Sequence, residues 1–93
     1  MAFGATIADR ISFGNMKLRV YNLTGIQTTG STLETGLSTV WAVKANNNTD
    51  ATDTLIEVPG DGTNARDSQT ARTKATVTSG NADDTGQIWV FGR

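Results

Sequence analysis

The sequence predicts an all-β protein: a small antiparallel β-sandwich or barrel, jelly-roll-like, with five to seven short strands and an extended N-terminal arm. Three observations carry this expectation. Apolar or alternating runs of four to eight residues recur between clusters of Gly, Asn, Asp and Pro, the punctuation of strands and turns. No stretch repeats its apolar residues with the helical period. Thr, Gly, Asn and Ala are abundant while Leu and Glu are scarce, which favours strands and turns over helices.

Taken in order, residues 1–9 show little periodicity and form the expected arm, on which Phe3 and Ile7 are candidate anchors for a neighbouring surface. Residues 10–93 then make a single β domain. Residues 10–13 read as a short strand ending at the Gly14-Asn15 turn signal. In residues 16–23, Met16, Leu18 and Val20 alternate with Lys17, Arg19 and Tyr21, which predicts a core face and a solvated face. Residues 24–31 read as a polar loop with Ile26 its only apolar member, and residues 32–35 as a short extended segment before Gly36.

Residues 40–45 form a strongly apolar strand in which Trp41 and Val43 oppose Val40 and Ala42. The Asn- and Asp-rich stretch 46–53 breaks any regular pattern. Residues 54–58 resume as a strand and stop at Pro59-Gly60-Asp61-Gly62; residues 60–70 are polar and read as an exposed loop. Residues 71–78 suit an edge strand defended by Arg72 and Lys74. The most apolar stretch is the last, residues 86–93, where Ile88 and Val90 point one way and Trp89 and Phe91 the other between Gly86 and Gly92. Such a strand is expected to be covered on both faces and to neighbour residues 40–45 near the middle of the sandwich. Fully buried, Trp89 would contribute about 3–5 kcal/mol.

Length and composition exclude several functions. A chain of 93 residues buries only about 60% of its unfolded surface, so association is a natural source of further stability. Without cysteine there are no disulfides or thiolate sites, and without histidine the commonest general base and metal ligand is missing. Eight basic residues against nine acidic ones give no field that gathers phosphates, so nucleic acid is not an expected partner. No stretch reaches the roughly 20 apolar residues that span a bilayer, and residues 1–10 lack the basic start and apolar run of a secretory signal.

Candidate chemistry fares no better. No Ser-x-x-Lys spacing offers a histidine-free nucleophile, and Glu57, between Ile56 and Val58, reads as a solvated strand position rather than a catalytic acid. The oxygen-rich loops 46–53, 61–64 and 81–84 lack the alternating acidic pattern of a calcium loop and read as turns. Asn22-Leu23-Thr24 and Asn47-Asn48-Thr49 match the glycosylation triplet without an export signal to make it relevant. The expectation is therefore of a protein without catalytic residues, cofactor or metal. Trp41, Trp89 and Phe91 join Phe3 and Ile7 as candidate partner contacts, since aromatics in apolar strands serve a core or a subunit interface.

The layout of a short arm (Thr6-Ile7-Ala8-Asp9-Arg10), a mid-chain Thr35-Gly36-Leu37-Ser38-Thr39-Val40 and a closing Thr85-Gly86-Gln87-Ile88-Trp89-Val90-Phe91-Gly92-Arg93 resembles small β-rich structural proteins of tailed bacteriophages. Capsid decoration, or cement, proteins are the subgroup it most resembles. The resemblance implies a virion protein synthesised in the host cytoplasm, bound to the major capsid protein on the capsid surface as a homo-oligomer, by analogy a trimer. A tail or fibre component, or a small module recognising a host-surface glycan through loops 46–53 and 60–69, is the alternative.

Overall fold

Two antiparallel sheets make up the regular structure of the computed structural model, which describes residues 2–49, 55–61 and 71–93. Seven strands and no helix occur among the described residues: β1 (Gly4–Phe13), β2 (Met16–Ile26), β3 (Ser31–Glu34), β4 (Val40–Asn47), β5 (Leu55–Pro59), β6 (Lys74–Ser79) and β7 (Asp84–Gly92). The larger sheet runs β1-β2-β7-β4 and the smaller β3-β6-β5. They share one core, in which Leu23, Ile26, Val40, Ala45, Ile88 and Val90 of the larger sheet meet Leu33, Ala75 and Val77 of the smaller. The expected all-β sandwich is the observed fold.

β7 and β4 are hydrogen-bonded neighbours, as the two most apolar stretches predict. The glycines at the ends of the final stretch have a different role from the expected turns. Gly86 and Gly92 lie within β7, on the same face as Ile88 and Val90. A Cβ on Gly92 would run into the Thr39 carbonyl oxygen, and one on Gly86 into that of Asn46. These glycines let the chain around β4 approach β7 closely at both ends.

Two bulges explain where periodicity misleads. β1 slips register between Ile7 and Asp9, so Ile7 lies opposite Tyr21 while Asp9 lies opposite Val20, on the other face. That break hides a single ten-residue strand. The expected arm over residues 1–9 is not set apart from the sheet, because Gly4 to Asp9 pair with β2 in the same hairpin as Arg10 to Phe13. In β4 the slip falls between Val40 and Ala42, so Val40, Val43 and Ala45 share the core face and Trp41 is the extra residue.

The connection from β3 to β4 is fastened by polar groups. Thr35 is fully buried; its hydroxyl donates to the Thr73 carbonyl (2.6 Å) and accepts from the Leu37 amide (3.2 Å). The Thr35 carbonyl accepts from the Tyr21 hydroxyl (2.8 Å) and the Arg19 guanidinium (3.2 Å). Tyr21→Phe is expected to cost about 1 kcal/mol, read as a lower denaturation midpoint at unchanged slope, since the carbonyl keeps Arg19 as a donor.

Candidate interaction surface

β2 presents its faces opposite to expectation. Residues directly opposed on antiparallel strands share a face, and Arg19, Tyr21 and Leu23 oppose Val90, Ile88 and Gly86, which look into the sandwich. Leu18 and Val20 oppose Phe91 and Trp89 on the outer side. The smaller sheet packs on the inner side alone, and Leu18 and Val20 are not part of the shared core. They are nonetheless only 5% and 7% exposed.

On this outer face Leu18 lies between Ile11 and Phe91, Val20 between Asp9 and Trp89, and Met16 opposite Phe13. Phe13 is 54% exposed and Trp89 41%, with Ile11 exposed beside them. The Trp89 indole donates to Gln87 Oε1 (2.9 Å), and Gln87 Nε2 donates to Asn22 Oδ1 (3.2 Å). That polar chain ends the apolar area along the strands, where Thr6, Asn22, Gln87 and Asn46 form one cross-strand row. Lys44, opposite Trp89, and Asp9 bound it sideways. An apolar sheet face with a polar rim is the form of a protein–protein contact surface.

Of the sequence-predicted contact residues, the structure brings Trp89 and Phe91 together on this face. The expectation that β7 is covered on both sides is corrected: its inner row is buried, its outer Trp89 is not. Phe3 is half-buried against the shared core, and Ile7 lies on the inner side opposite Tyr21, so neither joins the face. Trp41 sits apart, in the β4 bulge. Ile11 and Phe13 were missed as exposed residues, and Leu18 and Val20 as buried residues of the outer rather than the inner face. The signal was present in Met16-x-Leu18-x-Val20, but an apolar row is read as core by default.

Elsewhere, Ile56 is 65% exposed with Val58 beside it on the outer side of the smaller sheet, while Glu57 shares the inner face with Val77. Among the described residues no three His, Cys, Asp or Glu side chains are grouped to hold a metal ion, and no helix is long and apolar enough to cross a membrane. Of the loops named for a metal or glycan, residues 50–53 and 62–69 lie outside the described residues. Compared with known proteins, the chain matches no family model, no curated protein and no solved structure.

Proposed function

We propose that the chain is a non-enzymatic virion structural protein of the decoration type, a homo-oligomer that binds and stabilises a shell of major capsid protein through subunit contacts. The observation that carries this reading is the outer face of the larger sheet, where the exposed Ile11, Phe13 and Trp89 surround the buried Leu18 and Val20 beside Phe91, with no strand of the smaller sheet packed on that side among the described residues. A thin core and an uncovered aromatic face suit a subunit whose buried area is completed by assembly. The sequence resemblance supplies the virion setting, and a trimer is the assembly it implies.

The reading predicts that the wild-type chain self-associates in sedimentation velocity and is stoichiometric on purified particles by mass spectrometry. Trp89→Ala, at a half-exposed position, is expected to weaken association by roughly tenfold or more while leaving the unfolding midpoint nearly unchanged. A monomeric wild-type chain absent from particles would end the proposal.

A further inference from the structure

At the tip of the β1–β2 hairpin the surface folds into a cleft of about 720 Å³, lined by Gly14, Asn15, Lys17, Ser38, Trp41 and Arg93. It is built from three parts of the chain. The hairpin turn supplies Gly14, whose φ of 58° at the first central position suits a two-residue turn, together with Asn15. Lys17 follows on β2, opposite Gly92. Residues 38 and 39 are tied to the end of β7, since the Ser38 and Thr39 amides donate to the Arg93 carbonyl (2.6 and 3.1 Å) and the Arg93 amide donates back to Thr39 (3.0 Å). The β4 bulge then sets the 40% exposed Trp41 in the cleft wall. A bulge is a common device for re-aiming one side chain out of a sheet's alternation.

We infer that this cleft binds an acidic sugar residue, one that carries a carboxylate or sulfate on a pyranose ring. Trp41 offers an apolar surface for the ring's C–H face, Asn15 and Ser38 offer hydrogen bonds to hydroxyls, and Lys17 and Arg93 offer positive charge for the acid group. Among the described lining residues the charged side chains are Lys17 and Arg93, both basic, which favours an anion over a metal cation or an amine. Arg10 and Arg19, opposed on the same hairpin, add to the positive field there. A nucleic-acid strand fits less well, because it needs a basic groove along several phosphates and the whole chain carries a net charge of −1. The site is separate from the apolar face and does not depend on the assembly proposed above.

The test is a ¹H–¹⁵N NMR titration of the full chain with hyaluronan tetrasaccharide, neutral chitotetraose and a short oligothymidylate. Saturable shifts are expected with the hyaluronan fragment at the amides of Gly14, Asn15, Lys17, Ser38 and Arg93 and at the Trp41 indole. Chitotetraose and the oligothymidylate should each bind roughly tenfold more weakly or worse. Lys17→Gln, at an exposed position, should lose the preference for the acidic sugar with the rest of the spectrum unchanged, and Trp41→Ala should weaken both sugars. The inference is overturned if the hyaluronan fragment gives no saturable shifts, if they fall outside the cleft, if chitotetraose binds as well, or if the oligothymidylate binds more tightly.

Discussion

Ile88→Ala is expected to destabilise the domain by about 2–5 kcal/mol, the range for truncating a large aliphatic side chain in a packed core. Ile88 is fully buried and sits in the second row of the larger sheet, between Tyr21 of β2 and Ala45 of β4. Val77, Ala75 and Leu33 are the other sheet's contribution to the core that Ile88 belongs to, so collapse around the lost atoms would draw on both sheets. For a domain whose whole stability is about 5–15 kcal/mol, the change is large enough to populate unfolded chains at physiological temperature. Urea denaturation followed by tryptophan fluorescence measures it. A loss below about 1 kcal/mol would mean that the sheets do not share a rigid core.

Asp84→Ala is expected to cost about 2–4 kcal/mol, because the Ser79 and Asn47 donors lose their acceptor at a buried site. The Asp84 side chain is 4% exposed, and its Oδ2 accepts from the Ser79 hydroxyl (2.6 Å) and the Asn47 amide nitrogen (2.8 Å). Ser79 ends β6, Asn47 ends β4 and Asp84 begins β7, so one carboxylate ties together strands of both sheets. The turn before it also contains Asp83 in a left-handed conformation (φ 65°), which an Asp tolerates better than most residues. Beyond a lowered denaturation midpoint, hydrogen exchange should accelerate first at the amides of residues 79–85, the local unit that Asp84 fastens. Uniform acceleration across the domain would instead place Asp84 in the global core.

Much of this fold is legible in the sequence because β-branched and aromatic runs bounded by turn residues signal strands whatever their partners. The pairing of β4 with β7 follows from the same logic, since the two most apolar strands gain most from central positions. What the alternation of apolar residues cannot reveal is which side of a sheet the second layer will take. In β2 the apolar row Met16, Leu18, Val20 lies outside, and the inner positions at that end go to Lys17, Arg19 and Tyr21, two of which reach the Thr35 carbonyl. The bulges at Ala8 and Trp41 each shift alternation by one residue, and neither carries a glycine to announce it. For the same reason the apolar outer face and the cleft were only half visible: Trp89, Phe91 and Trp41 stand out by type, but Leu18, Val20 and Lys17 take their places from register.

The place of β7 between β2 and β4 has a consequence for how the protein is made. Of the seven strands among the described residues it comes last in sequence, yet it supplies the pairing edge that both β2 and β4 need. Without residues 84–92, the hairpin of β1 and β2 and the strand β4 have no common partner in the larger sheet. Completion of the larger sheet therefore waits on β7 and joins segments far apart in the chain, as in Tyr21 with Ile88. Nascent chains should stay open to proteases until that strand is out, and chains truncated before Asp84 should be cleared or aggregate rather than accumulate as a folded half.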